Sequence, residues 1–192
     1  MNRLDFIKIS EWIKPESKIL DLGCADGALI KFLKENKKTN GYGVEIDSRN
    51  IEHGMKNKIN ILQMNLEDGL SVFDDQFFDT VILSQTLQAM VNIEKIMDEM
   101  KRVGKNIIVS FPNFGYWRNR VQVLGGKMPK SRELPHEWYN TPNIHLCTID
   151  DFEDLCHKKN VKIIDQLFLT NNKPIKFFTN FRSSIAIFRL TK

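Results

Sequence analysis

Cysteine is scarce in this 192-residue sequence, which has only Cys24, Cys147 and Cys156. An odd number cannot all pair within one chain, and no Cys-x-x-Cys occurs. A disulfide scaffold is therefore excluded, and reduced thiols in a cytoplasmic protein are the expectation. His53, His136, His145 and His157 do not fall at metal-ligand spacings, so no metal site is expected. Long apolar runs are also missing. No stretch approaches the length of a membrane span. The opening MNRLDFIKISEWIK carries Asp5 and Glu11 where a signal peptide has an unbroken apolar region. Neither sign of charge dominates: 28 Lys and Arg oppose 24 Asp and Glu, a formal +4. The basic residues are scattered as Lys37-Lys38, Lys101-Arg102-Lys105, Lys127-Lys130-Arg132 and Lys158-Lys159, without interleaved aromatics. That pattern reads as a solvated surface and not as a nucleic-acid face. Repeats and low-complexity segments are absent.

What is present suits one domain over residues 1–192, with 42% hydrophobic and 27% charged residues. Leu4, Ile7, Trp12 and Ile13 fall near helical spacing, and Pro15 ends that helix. Lys18–Leu22 reads as a buried strand. Leu29, Ile30, Phe32 and Leu33 mark one face of a following helix. Strands are expected at Gly41–Ile46, Ile59–Met64, Phe78–Ser84 and Asn106–Phe111. Ser48 is placed to cap a helix to about Lys56. Leu87, Met90, Ile93, Met97, Met100 and Val103 trace a longer helix closed by Gly104. This alternation implies a parallel sheet with helices on both faces. Residues 113–147 are rich in Pro, Gly and aromatics, a long insertion of the kind that often carries function, with one short helix around Tyr116–Leu124. Thr148 caps a helix to about Lys159. Val161–Leu169 and Ser184–Leu190 are expected to pair antiparallel at one edge, joined through the turn Asn171-Asn172. The total is seven strands.

The chemistry gathers at KILDLGCADGALIKFL, Lys18 to Leu33. A strand ends in an acid, Asp21, and small residues follow at Gly23, Ala25 and Gly27 before a helix begins. In an open parallel sheet, ligands bind beyond the carboxyl ends of the strands. Glycine lets the backbone approach them closely. As a dinucleotide fingerprint the loop is degraded, offering Gly23, Ala25 and Ala28. Asp21 also counts against a diphosphate, which it would repel. S-adenosylmethionine has an ammonium, a sulfonium and only one carboxylate, and suits the acid better. Cys24 is small, early in the loop and packed. Glu45, ending strand two, can grip both ribose hydroxyls, with Ile46 beside it. Asn65-Leu66 after strand three is placed to read the adenine edge. Ser84-Gln85 after strand four lies at the cofactor's reactive end. Each residue also has a plain structural role open to it: turn, cap or solvated acid. Their order on successive strands is what makes the set informative.

These residues and the strand order resemble the class I S-adenosylmethionine-dependent methyltransferase fold. That resemblance implies a Rossmann-like, mostly parallel sheet of order 3-2-1-4-5-7-6 with strand seven antiparallel. Longer blocks narrow it. ILDLGCADGALI, GYGVEID, VILSQTLQAM, VSFPNFGYWRNR and the stretch GKMPKSRELPHEWYNTPNIHLCTIDDFEDLC are similar to the methionine-biosynthesis protein MetW family, from about Ile19 to Leu169. Asn65 departs from the family, which generally carries Asp there. The resemblance implies S-adenosylmethionine or S-adenosylhomocysteine as cofactor. It also implies a partner, the homoserine O-acyltransferase MetX, and no assured methyl acceptor. Aromatics and arginines in the long segment are the types that anchor interfaces, with Trp117, Arg118, Trp138 and Tyr139 the candidates. The rings could equally cover the cofactor cleft, and the arginines could hold an anionic substrate. His145 is the candidate base, against the commoner role of a structural histidine. An alternative function is methyl transfer to a small molecule.

Overall fold

Successive residues of a strand point to opposite faces, and that period divides the core in two. The computed structural model describes residues 3–192. Its strands are β1 (Lys18–Leu22), β2 (Asn40–Glu45), β3 (Asn60–Gln63), β4 (Phe78–Ser84), β5 (Gly104–Pro112), β6 (Lys162–Thr170), β7 (Lys173–Pro174) and β8 (Ile185–Thr191). They form one sheet of order β3-β2-β1-β4-β5-β8-β6-β7. Strands β1 to β5 run parallel, and β8 is antiparallel to both β5 and β6. The order reverses between β1 and β4, so a crevice opens beyond Leu22 and Ser84.

Ile19, Ile82, Ile108 and Ile187 face one side of the sheet. There they meet Phe6, Ile9 and Ile13 of the N-terminal segment and Leu29 and Leu33 of α2 (Ala28–Lys37). The opening helix, α1, is Leu4–Trp12. Leu20, Val81, Leu83, Val109, Phe111 and Phe188 face the other side. Met97 and Met100 of α4 (Ile93–Val103) and Phe152 of α6 (Ile149–Lys158) cover them. Phe188 is the hub of this face, with ring centroids 4.8 Å from Phe152, 5.7 Å from Phe168 and 6.0 Å from Phe111. Burying such a ring stabilises the fold by roughly 1.5–3 kcal/mol. Helix α3 is Ser48–Lys56 and packs by β2 and β3.

The seven expected strands appear in the expected order, and the two-residue β7 adds an eighth. Asn171 (φ 49°) and Asn172 (φ 58°) are both left-handed and fold β7 back on β6 as a tight hairpin. The late antiparallel pair lies at one edge, with β8 inserted between β5 and β6 as the order 3-2-1-4-5-7-6 requires of its last strand. The link between β7 and β8 carries a four-residue helix, α7 (Thr179–Arg182). Asp47 caps α3 in place of Ser48, its carboxylate accepting from the Arg49 amide at 2.9 Å. The long helix expected from Leu87 is interrupted. Residues Leu87–Ala89 form a 3₁₀ turn, and α4 starts afresh at Asn92, whose side chain accepts from the Lys95 amide. Gly104 follows that helix in extended geometry and opens β5 directly. Thr148 caps α6 in a reciprocal box with Asp151.

The segment 113–147 contains α5 (Trp117–Leu124) and otherwise irregular chain. Backbone hydrogen bonds fix it to the 3₁₀ turn after β4 and close it on itself. The Gln88 carbonyl accepts from the Ile144 amide at 2.8 Å and the His145 amide at 3.0 Å, and the Cys147 carbonyl accepts from the Phe114 amide. Among the described residues no helix is long and apolar enough to cross a membrane.

Candidate functional site

By its place in the strand, Asp21 shares the face of Ile19, whose packing is apolar. It is 3% exposed. No protein group within the described residues donates a hydrogen bond to its carboxylate. Burial, reinforced by the negative charge of Glu45 and opposed by Arg3, raises its pKa from 3.8 to about 7. The hollow it borders, about 250 Å³, is lined by Gly23, Cys24, Ala25, Ser84, Gln85 and Thr86, with Arg3 and Phe6 of the N-terminal segment closing one side. An unpartnered acid at the wall of a hollow is an unmet demand for a cationic donor.

The loop after β1 is tied to β2. The amides of Gly23 and Cys24 both donate to the Val44 carbonyl, at 2.8 and 3.1 Å. Gly23 (φ 69°) is left-handed, and a Cβ there would lie 2.5 Å from Thr86 Oγ1. What approaches this glycine is therefore the chain after β4, which the close fit draws to the loop. Gly27 (φ 74°) starts α2, and a Cβ on it would lie 2.9 Å from Ile59. It serves packing and does not line the hollow. Ala25 is also left-handed at φ 48°, which costs an L-residue about 1–2 kcal/mol. The Glu45 carboxylate offsets this by accepting from the Ala25 amide at 2.8 Å. Burial pushes the Cys24 thiol far above its ordinary range, so it packs as a small apolar group and not as a nucleophile.

Glu45 is more engaged than its sequence position suggests. Besides Ala25, it accepts from the amides of Ile46 at 2.8 Å and Asp47 at 2.9 Å. Its carboxylate thus fastens the loop to the end of β2. Lone pairs remain on Oε2 for a hydroxyl donor. Ile46 beside it is 61% exposed, an apolar platform outside the hollow. Asn65 caps the 3₁₀ turn Leu66–Asp68, its Oδ1 accepting from the Glu67 amide at 3.1 Å. The residues named from the sequence therefore divide. Asp21, Gly23, Cys24, Ala25 and Ser84 line the hollow, whereas Gly27, Glu45, Ile46, Asn65 and Leu66 do not.

At the end of β4, Ser84 Oγ lies 3.1 Å from Ser110 Oγ. Gln85 is left-handed (φ 58°) and donates from its backbone and its side chain to Ser110 Oγ, each at 3.2 Å. A strained residue held by three bonds, counting its amide to the Ser110 carbonyl, marks this point as over-determined. His145 is not brought to it. The imidazole is exposed, its Nε2 3.3 Å from the Val91 carbonyl, and it borders neither the hollow nor the larger chamber next to it. Arg3, Phe6 and Thr86 were not expected at the site. The amphipathic opening helix signalled burial but not which part of the sheet it covers.

The aromatic residues of the long segment form two groups. Trp117 meets Phe178, Phe181 and Arg182 around a surface hollow of about 540 Å³, with the Arg118 guanidinium 5.3 Å from the Trp117 ring. Trp138 and Tyr139 stack edge to face at 5.8 Å, both largely exposed. Phe177 and Phe178, 73% and 80% exposed, lie in the link before α7, to which the sequence reading gave no element. No cluster of three His, Cys, Asp or Glu among the described residues could hold a metal.

Solved structures that share this architecture include methyltransferases. An S-adenosylmethionine-dependent methyltransferase from Mesorhizobium loti superposes with TM-score 0.72 at 13% identity, covering 99% of this chain and 100% of that one. One from Thermotoga maritima gives 0.70 at 19% identity, covering 98% and 88%. A complex of the Haloferax volcanii Trm112 methyltransferase activator with a methyltransferase gives 0.71 at 13%, covering 97% and 88%. At these identities the likeness establishes the class I methyltransferase fold. In sequence, the chain is 38% identical over 175 residues to the bifunctional methionine biosynthesis protein MetXA/MetW of Rhodopirellula baltica. The match covers 86% of this chain but only 28% of that longer protein. The family described as methionine biosynthesis protein MetW matches residues 3–190. With the fold, the loop after β1 and nearly the whole length in agreement, the chain belongs to the MetW family of methionine biosynthesis proteins.

Proposed function

We propose that this chain binds S-adenosylmethionine and acts in methionine biosynthesis as the partner and activator of the homoserine O-acyltransferase MetX. The observation that carries cofactor binding is Asp21, a buried carboxylate with no donor among the described residues, facing a hollow. The ammonium of the cofactor supplies the missing donor, and its positive charge favours the ionised acid. A hollow of about 250 Å³ suits the amino-acid end of the cofactor. The adenosine end would then cross the open rim, with Glu45 toward the ribose, Ile46 beneath the base and Asn65 with Leu66 at its edge. When bound, the cofactor supplies an electrophilic methyl group. This chain's residues orient it; His145, the candidate base, stands away from the hollow, whereas His136 lines the chamber adjoining it.

The partner role is supported by the Rhodopirellula baltica relative, whose name joins MetXA and MetW in one bifunctional protein. The aromatic patch of Trp117, Phe178 and Phe181, with Arg118 and Arg182, is the surface assigned to that partner. Rings and arginine in one exposed cluster are what interface hot spots are made of. Trp138 and Tyr139 extend it as a second contact. Cofactor occupancy would then tune the acyltransferase, linking the two sites by a coupling free energy. The test mixes the purified chain with the acyltransferase of the same organism and follows acyl transfer to homoserine. Stimulation and co-elution are expected. Neither stimulation nor co-elution, with both proteins folded, overturns the partner role. The second reading, methyl transfer to a small molecule, is favoured by the chamber adjoining the hollow. S-adenosylhomocysteine release in the presence of an acceptor would establish it.

A further inference from the structure

We propose that this adjoining chamber is a separate binding site for a zwitterionic α-amino acid with an extended apolar side chain. The chamber holds about 670 Å³, within the range of small-molecule sites. It shares Arg3 and Gln85 with the cofactor hollow, so its inner end lies against the strained residue after β4. The chemistry of its wall follows from a turn. The Ser131 amide donates to the Leu134 carbonyl at 3.0 Å, and the Leu134 amide donates back to Ser131 Oγ at 3.2 Å. Leu134 is buried and anchors this turn. Arg132 and Glu133 stand at its centre, and both side chains line the chamber.

Neither Arg132 nor Glu133 joins an ion pair among the described residues. The chamber's other opposite charges, Arg3 and Asp5, satisfy each other at 2.6 Å. What remains, beside the imidazole of His136, is one guanidinium and one carboxylate on adjacent residues of a fixed turn. That pair matches a carboxylate and an ammonium on one carbon. A simple anion would leave Glu133 unpaired and repelled, and a simple cation would do the same to Arg132. Gln88 also lines the chamber. Its Nε2 donates to the Gln85 carbonyl at 2.7 Å, and its buried Oε1 has no donor among the described residues. Pro142 and Ile185 give the chamber apolar wall for a side chain.

This site does not depend on cofactor binding or on the acyltransferase. Calorimetry on the full chain tests it with three probes that differ only in charge. L-norleucine carries both groups, hexanoate lacks the ammonium and pentylamine lacks the carboxylate. Norleucine is expected to bind at least about ten-fold tighter than either, because each removed group leaves one wall charge unmatched. Arg132→Gln and Glu133→Gln are each expected to weaken norleucine about ten-fold. Both residues are at the surface of a turn, and far-ultraviolet circular dichroism confirms the fold of each variant. S-adenosylhomocysteine titrated into the same variants reports the cofactor hollow separately and is expected to be unchanged. Equal affinity for norleucine and hexanoate, no binding of norleucine, or indifference to both substitutions overturns the proposal.

Discussion

Replacing Asp21 by asparagine should make the ligand-free protein more stable, and the gain should depend on pH in a way that identifies its cause. In the folded chain the carboxyl titrates near 7, against 3.8 when ordinary. Between those values the native state holds a proton that the unfolded state has lost. Unfolding therefore releases a proton, and stability falls as pH rises from about 4 to about 7, then levels off. A shift of about three units corresponds to about 4 kcal/mol, an upper figure since Asn brings its own unmet donors. Asn is close in shape and carries no charge, so Asp21→Asn removes this slope. Urea unfolding of both proteins at several pH values reads the difference directly. The variant should match the parent near pH 4 and exceed it by several kcal/mol above pH 7. Acids held low, such as Asp79 beside Lys105 and Glu99 beside Arg102, give the opposite slope in both proteins and cancel. Parallel curves for parent and variant would refute the claim that Asp21 is an uncompensated buried acid.

Other substitutions test other parts of the structure. Gly23→Ala should cost about 1–3 kcal/mol, because it adds a Cβ 2.5 Å from Thr86 Oγ1 at a left-handed position. Thermal melts should show Thr86→Ala recovering part of that loss, the part due to contact and not to backbone. Phe188→Ala should cost about 3–5 kcal/mol in chemical denaturation, since three rings would be left around a void. Phe181→Ser, at a half-exposed position in the aromatic patch, should change stability by less than about 0.5 kcal/mol. The same variant should lower co-elution with the acyltransferase and its stimulation; unchanged stimulation would remove this patch from the interface.

The strands were legible where hydrophobic runs were bounded by breakers. Lys18–Leu22 and Phe78–Ser84 were read to the residue. The helix over Leu87–Val103 was read as one because its apolar spacing is continuous. The break comes from polar groups that carry no apolar signal. Glu67 accepts from the amides of Val91 and Asn92, and Asn92 caps the new start. The place of β8 between β5 and β6 is a long-range fact, and local pattern could suggest only that the last two strands pair. At the site, the order of acids and glycines on successive strands was visible. How they spend their hydrogen bonds was not. Glu45 is drawn to three amides because the loop folds back onto β2, and Gly27 answers to Ile59 from a distant strand end. Arg132 and Glu133 sat in a segment whose sequence offered no period to read.

The central claim is that the buried carboxylate of Asp21 is completed by a cationic ligand at the end of β1. Calorimetric titration of S-adenosylmethionine at about pH 6, in two buffers of different ionisation enthalpy, tests it most directly. The account predicts saturable binding with release of a proton approaching one per chain, since below pH 7 the carboxyl must ionise to meet the ligand. It also predicts binding at least about ten-fold weaker, with no such release, in Asp21→Asn. Binding of equal strength in the variant, or no binding to the parent protein, would contradict it.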